Sequence, residues 1–216
     1  MDKKDFDVEE LTKPDPTSMR FVRYTENGSE PITLQDLNEW FEDCKLKPEV
    51  PSEIEKIMEV SKHLFLYGYF YYPFFIVSGH IALLGLEAAM RRRFVMSLPS
   101  EITISYKNNK EELFSNRLVI KKLSFETLVN TQKTLRDRYG KGTFSINNEV
   151  FPNTFYKLIK WCGEKKIVKE DAIKHLDNAR NLRNSYAHPD FQSIMPPGPS
   201  LGVIKNTIEL INLLFE

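Results

Sequence analysis

Hydrophobic residues recur at intervals of three and four along most of the chain, which is the spacing of amphipathic helices. The spacing predicts helices over residues 52–72, 73–96, 153–165, 169–188 and 201–215, the first two of which could also be one sharply kinked helix, and two further amphipathic stretches over 111–122 and 125–139. Pro73 separates or kinks the first two helices and Pro189 ends the helix over 169–188, because proline removes a helical hydrogen bond and clashes with the preceding turn. A Pro-rich extended linker is expected at 196–199, and one short alternating run predicts a strand at 102–106.

The first fifty residues follow a different pattern. Residues 19–24 alternate as a strand does, the dipeptide Asn27–Gly28 favours a tight turn, and residues 32–34 are the expected return strand. Thr33 and Asp36 have the spacing of a capping box, which predicts a short helix that begins at this point.

Charge also divides the chain near residue 50. Residues 1–50 hold 7 Lys/Arg against 13 Asp/Glu, whereas the remainder holds 23 against 17. We therefore predict an acidic N-terminal appendage over residues 1–50, made of an arm, a hairpin and a short helix, and a helical domain over 51–216. The predicted fold class is mainly α, a helical bundle with a small N-terminal α+β appendage.

Composition excludes several classes of protein. A chain of 216 residues with 41% hydrophobic and 28% charged residues is neither disordered, collagen-like nor a disulfide scaffold. Thirty basic residues balance thirty acidic ones, so net charge alone does not indicate a nucleic-acid-binding protein. Cys44 and Cys162 lie far apart in sequence, which suits a reducing compartment, and no apolar run follows the first charges. These features predict a cytoplasmic protein.

Residues 64–86 have the length of a membrane span. The run contains no Asp, Glu, Lys or Arg and is followed by three arginines. Four tyrosines, three glycines and Pro73 within it favour instead a buried, aromatic-rich helix or a subunit interface. We expect no membrane attachment, and a membrane span is the alternative.

The helix predicted over residues 169–188 carries a polar stripe beside its apolar one. Residues four, three and four positions apart share a helical face. The residues of the stripe and its immediate neighbours are Asp177, Arg180, Asn181, Arg183, Asn184 and His188. A solvated face usually carries Lys and Glu, whereas these side chains form directional hydrogen bonds. The stripe is therefore the candidate functional site.

An arginine and a histidine within two helical turns suit the cleavage of RNA without a metal. Arg183 can offer a planar fork of donors to a phosphate, and His188 can take the 2′-OH proton or protonate the leaving oxygen near neutral pH. DNA lacks this hydroxyl and would not be cut in this way. Residues five apart lie about 140° apart around a helix, so the pair converges only if Arg183 reaches across, the last turn unwinds, or a second subunit contributes.

Residues 182–189, Leu-Arg-Asn-Ser-Tyr-Ala-His-Pro, resemble the R-N-x-x-x-H motif of the HEPN superfamily, and residues 71–94 resemble an earlier core helix of that family. The resemblance covers roughly residues 52–190. It implies an all-α bundle of the HEPN type, in which Arg183 and His188 are the catalytic pair and Asn184 is the polar residue after the arginine. It also implies that Glu87 supports the arginine.

The family resemblance also implies partners and an activity. Many members are dimeric, metal-independent ribonucleases in toxin–antitoxin, phage-defence and RNA-processing systems. The expected partners are therefore RNA, a second copy of the chain, and an antitoxin or other partner protein. One subgroup transfers nucleotides with a tyrosine two residues after the histidine, but Asp190 occupies that position here. The alternative is a catalytically inactive HEPN-like module that dimerises or binds a nucleotide or a partner.

Each candidate residue also has a structural explanation. Arg183 could bind a carboxylate, Asn184 and His188 could cap the helix, and Glu87 precedes Arg91 by four residues, the spacing of a helical ion pair. Asp177, Asn181 and Arg180 remain supporting candidates, and weak RNA-phosphate contacts are expected from Arg91, Arg92 and Arg93.

The remaining polar residues have plainer expected roles. His80 and Tyr186 are expected in the core rather than in catalysis, and His63 and His175 have no partner at a metal-ligand spacing. Residues 140–143 lack the first glycine and the spacing of a phosphate-binding loop, so we expect a turn there. No cofactor and no metal site is predicted.

Overall fold

Helices and strands both shape this chain in the computed structural model, which describes residues 9, 12–108, 111–119, 123–187 and 195–216. In the described part, helices account for 57% and strands for 14%, and the strands form two small sheets. The fold is therefore mixed α/β. The predicted fold class, a mainly α HEPN-like bundle, is wrong.

The described helices are α1 (Leu34–Glu39), α2 (Ser52–Tyr67), α3 (Phe74–Met96), α4 (Phe125–Tyr139), α5 (Phe155–Glu164), α6 (Glu170–Tyr186) and α7 (Pro197–Leu214). The described strands are β1 (Val22–Thr25), β2 (Gly28–Pro31), β3 (Glu101–Lys107), β4 (Glu112–Val119), β5 (Thr143–Ile146) and β6 (Glu149–Val150).

The chain divides into two compact units. The first consists of Met1–Leu86 and Asn178–Glu216, and the second of Glu87–Asp177. Both boundaries fall inside helices, so that α3 and α6 each contribute residues to both units. The predicted division at residue 50 into an appendage and a helical domain stays a prediction.

The predicted N-terminal hairpin is confirmed, with a shifted return strand. β1 pairs with β2 in antiparallel register from Val22↔Pro31 to Thr25↔Gly28, so the return strand is Gly28–Pro31 and not residues 32–34. Gly28 has a φ of 120°, a conformation that favours glycine over residues with a Cβ.

The predicted capping box is also confirmed. The Asp36 backbone N–H donates to Thr33 Oγ1 at 3.2 Å, and the Thr33 N–H donates to Asp36 Oδ2 at 2.8 Å. The hydrogen bonds from Thr33, helped by the charge of Arg23, lower the pKa of Asp36 below its ordinary value.

An aromatic cluster holds the core of the first unit together. Phe65 on α2 is fully buried, and its ring lies 5.0 Å from the rings of both Phe41 and Phe75 in edge-on contact. The helices approach closely because Gly68 has no side chain; a Cβ at that position would lie 2.7 Å from the Phe75 ring. The sequence predicted these residues as helical, but not this contact between helices.

Buried serines satisfy backbone carbonyls where α2, α3 and α7 meet. Ser61 Oγ of α2 donates to the carbonyl of Ser78 at 2.8 Å, and Ser200 Oγ of α7 donates to the carbonyl of Phe75. Ser78 Oγ donates to the same Phe75 carbonyl at 2.6 Å. A buried hydroxyl without a partner is costly, so these hydrogen bonds favour one arrangement of the three helices.

The second unit is built on an antiparallel sheet with the strand order β4-β3-β5-β6. β3 is the predicted strand, and its alternate residues Ile102, Ile104 and Tyr106 are buried. An aromatic core packs in the same unit, where the Phe94 ring lies 5.2 Å from Trp161 and the Phe125 ring lies 5.0 Å from Phe151.

Two sequence predictions fail for identifiable reasons. The stretch predicted as amphipathic over 111–122 contains β4, an edge strand of the described sheet, which is defined by its pairing with β3 and not by a local signal. The predicted Pro-rich linker at 196–199 instead begins α7, with Pro196 as its N-cap. Proline is accepted in the first turn, where its missing N–H has no helical partner in any case.

One helix in the described part is long and apolar enough to cross a membrane. This helix is α3, and 56% of its most apolar window is buried inside the protein. Such burial is typical of the core helix of a soluble protein and agrees with the expectation that residues 64–86 are not a membrane span.

We expect Phe65→Ala to lower the free energy of unfolding by about 3–5 kcal/mol, because it removes a fully buried ring that packs against Phe41 and Phe75. Tyr67→Ala is the matched control, since this aromatic residue of the same helix is 57% exposed and should change stability by less than about 0.5 kcal/mol. Urea unfolding followed by circular dichroism measures both. Equal effects of the two substitutions would contradict the described core.

Candidate functional site

The polar stripe lies at the C-terminal end of α6, and its last residues belong to the first unit. Asn181 and Asn184 are exposed, whereas Arg180 and Arg183 are half-buried. Arg180 donates from Nη2 to Asn181 Oδ1 at 2.8 Å. α6 ends at Tyr186, so the predicted catalytic residue His188 lies outside the described residues and its role stays a prediction.

Two of the supporting candidates belong to the second unit. Glu87 is only 7% exposed and accepts a hydrogen bond from Arg91 Nη2 at 2.5 Å, which confirms the ion pair expected from their spacing. Asp177 is half-buried on α6. Support of Arg183 by Glu87 or Asp177 stays a prediction.

The three consecutive arginines differ in their surroundings. Arg91 pairs with Glu87, and its guanidinium also lies over the Phe125 ring, 5.3 Å from the ring centre. Arg92 is exposed, and Arg93 is half-buried with its Nε fully covered. Only part of this predicted phosphate-binding triplet is therefore available to solvent, and its binding role stays a prediction.

His80, for which the sequence favoured a core role, contacts α6 in the first unit. It is the only titratable residue between Phe74 and Leu86 on α3. Its imidazole is half-buried, with the ring centre 6.1 Å from that of Tyr186 on α6. In the sequence, His80 could have been recognised as unusual because it is a single ionisable side chain on an otherwise uncharged helical segment.

The surroundings of His80 favour its neutral form. Burial lowers its pKa below the ordinary value of 6.5, and the positive charge of Arg183 lowers it further. The imidazole is therefore unprotonated at neutral pH and lies within the field of the arginine that the motif provides.

Tyr186 forms one wall of the same site. Burial raises its pKa to about 12, so that the phenol keeps its proton, which it donates to Met195 Sδ at 3.0 Å. The ring packs against α3 at Gly79, where a Cβ would lie 3.5 Å from Tyr186 Cε2. The half-buried tyrosine thus brings α6 against the turn of α3 that carries His80.

Both cysteines are free and buried, and neither has the properties of a nucleophile. Burial raises the pKa of Cys162 to about 12 and also raises the pKa of Cys44. Thiols with raised pKa values are almost entirely protonated at neutral pH.

A separate cavity of about 300 Å³ lies in the second unit. Phe94, Phe151 and Trp161 contribute apolar walls, and Glu149 and Lys165, which also line it, pair with each other at 2.5 Å. None of the predicted site residues lines this cavity. It is therefore distinct from the candidate site on α6.

Comparisons with known proteins give no assignment: no family model, no curated protein and no solved structure matches this chain. Within the described ranges, no group of three or more His, Cys, Asp and Glu residues is arranged to hold a metal ion.

We expect Arg183→Gln to raise the pKa of His80, because it removes the neighbouring positive charge that disfavours the imidazolium. A lowered histidine pKa means that the unfolded chain binds the proton more readily, so stability is present above about pH 6.5 and falls as the pH drops below it. The substitution should make this loss smaller. Titration of the His80 NMR signal measures the pKa directly. Arg180→Gln is the control, and an equal rise in that variant would contradict the described geometry.

Proposed function

We propose that this chain is a metal-independent endoribonuclease of the HEPN type, as its R-N-x-x-x-H motif implies. In this proposal Arg183 binds the phosphodiester and His188 exchanges a proton with the substrate. The reaction is attack of the 2′-OH on the adjacent phosphorus, which leaves a 2′,3′-cyclic phosphate and a 5′-OH.

The observation that carries the proposal is the setting of Arg183. Its guanidinium lies at the end of α6, half-buried, and its charge acts on the imidazole of His80. A half-buried guanidinium binds a phosphate more strongly than an exposed one, because the surrounding protein screens its charge less than water does. Asn184 is the next residue of the helix. Its side chain is exposed and can add a hydrogen bond to the substrate.

The distribution of charge supports a polyanionic substrate. The second unit, Glu87–Asp177, holds 18 Lys/Arg against 11 Asp/Glu, whereas the rest of the chain holds 12 against 19. The balanced total therefore hides one basic unit. On α5 of this unit, Lys157 and Lys160 are exposed beside Tyr156, which is 58% exposed. Basic side chains beside an exposed aromatic ring suit the backbone and bases of single-stranded RNA.

The biological setting is proposed from the resemblance alone. The protein would act in the cytoplasm, in a toxin–antitoxin or phage-defence system, with an antitoxin or another partner protein to restrain it. Two free, buried thiols are compatible with a reducing compartment.

The test is incubation of the purified chain with total RNA in excess chelator. We expect fragments that end in 2′,3′-cyclic phosphate, and we expect His188→Ala to lower the cleavage rate by about 10²- to 10⁴-fold, as the loss of a general acid or base does. Arg183→Gln should cost about 10²- to 10³-fold by removing stabilisation of charge on the phosphate.

The matched control is His175→Ala, which removes an exposed histidine elsewhere on α6. It should cut RNA at the rate of the unmodified protein. Cleavage that stops in chelator, or that survives in His188→Ala, would contradict the proposed mechanism.

A second candidate function is favoured by the aromatic residues between α2 and α3. Tyr67 and Tyr71 are 57% and 52% exposed, and Val77 on α3 is 39% exposed. Two phenylalanines lie in the same segment: the Phe70 ring centre is 5.2 Å from that of Tyr69, and the Phe74 ring centre is 5.2 Å from that of Tyr71. Exposed aromatic groups of this kind mark protein–protein contacts. The same chain could therefore serve as a dimerisation or partner-binding module without catalysis.

We expect Phe70→Asp or Phe74→Asp to convert a homodimer into monomers, because either change places a charge in an apolar interface. Light scattering coupled to size-exclusion chromatography measures the mass. Val60→Asp is the control, since Val60 is an exposed apolar residue of α2 that lies outside the connection between α2 and α3. An unaltered dimeric mass in both phenylalanine variants would contradict an interface at this connection.

A further inference from the structure

His80 of α3 contacts α6, the helix that carries the motif arginine. Its ring centre lies 6.1 Å from that of Tyr186, and the two planes are tilted by 53°. Arg183 lies three residues before Tyr186 on the same face of α6, and its positive charge contributes to the lowered pKa of His80. The contact of His80 with Tyr186 therefore joins α3, within the first unit, to the face of α6 on which Arg183 also lies.

We propose that His80 is the general base of the RNA cleavage reaction, an inference that rests on the proposed function. A phosphodiester held on Arg183 carries its own 2′-OH on the adjacent ribose, so the anchor that binds the phosphate also brings the hydroxyl to His80. This assignment leaves the role of general acid to His188, for which the sequence left both roles open.

The electrostatics of the site suit a base. The groups that set the protonation of His80 are the Arg183 guanidinium and the burial of the ring; the Tyr186 phenol beside it is neutral, and Val203 of α7 is an apolar neighbour of Gly79. Before substrate binds, His80 is neutral and can accept a proton. A bound phosphate offsets the charge of Arg183, which raises the affinity of His80 for that proton.

The proposed step is balanced in protons and electrons. The 2′-OH proton passes to the imidazole of His80 as O2′ forms a bond to phosphorus. The P–O5′ bond breaks with its electron pair on O5′, and O5′ takes a proton from the imidazolium of His188. The products are a 2′,3′-cyclic phosphate and a 5′-OH, and exchange of protons with water restores both histidines.

Substrates with different leaving groups distinguish a histidine that acts as the general base from one that acts as the general acid. Total RNA releases an alkoxide that must be protonated, whereas uridine 3′-(4-nitrophenyl phosphate) releases a stable phenolate that needs no acid. We expect His80→Gln to slow both reactions by about 10²-fold or more. His188→Ala should slow the cleavage of RNA far more than that of the aryl ester. His175→Gln is the control for the loss of an exposed histidine.

The outcomes are distinguishable. If the unmodified protein cuts RNA and His80→Gln cuts both substrates at the same rate, His80 is not the base and the proposed function stands. If His80→Gln cleaves RNA slowly but cleaves the aryl ester at the rate of the unmodified protein, His80 is the acid and the assignment is wrong. If the unmodified protein cuts neither substrate, the proposed function fails, and this inference fails with it.

A measurement on the unmodified protein does not depend on the folding of a variant. A 2′-deoxy oligonucleotide presents phosphates but cannot be cleaved by this reaction. Its binding should raise the pKa of His80 in an NMR titration, because the phosphate offsets the neighbouring charge of Arg183. A pKa that stays unchanged when the site is saturated would overturn the proposal.

Discussion

The uncharged first half of α3 is the constraint on which the first unit depends. Between Phe74 and Leu86 this helix carries no Asp, Glu, Lys or Arg, so it must be covered by its neighbours. α2 covers it through Phe65 and the close approach at Gly68, and Ser200 of α7 binds the Phe75 carbonyl. The same requirement explains why a helix with the composition of a membrane span lies in a protein core.

The candidate site follows from that constraint. His80 is the only ionisable group on this half of α3, and its partial burial keeps the imidazole neutral. Tyr186 packs on the adjacent Gly79 and brings the end of α6 to the same place. Arg183 lies one helical turn before Tyr186 on the same face of α6, and its charge contributes to the lowered pKa of His80. The packing of an apolar helix and the chemistry of the site are thus one arrangement.

Local patterns and turn signals in the sequence located the helices α2, α3, α5, α6 and α7, the β1–β2 hairpin and β3, and they marked α4 as an amphipathic stretch. They missed β4, β5 and β6, which are defined by pairing with other strands and not by their own alternation. The motif identified Arg183 and Asn184 on α6. It could not identify His80, because the approach of two helices distant in sequence is decided by packing.

The most direct test of the account is a comparison of one RNA with its 2′-O-methyl counterpart in excess chelator. Methylation removes the nucleophile and keeps every phosphate that Arg183 and the basic second unit would bind. We expect both RNAs to bind, and only the unmodified one to be cut, with 2′,3′-cyclic phosphate at the new ends. Cleavage of the methylated RNA, or fragments that carry oxygen from water in the first product, would contradict a reaction through the 2′-OH.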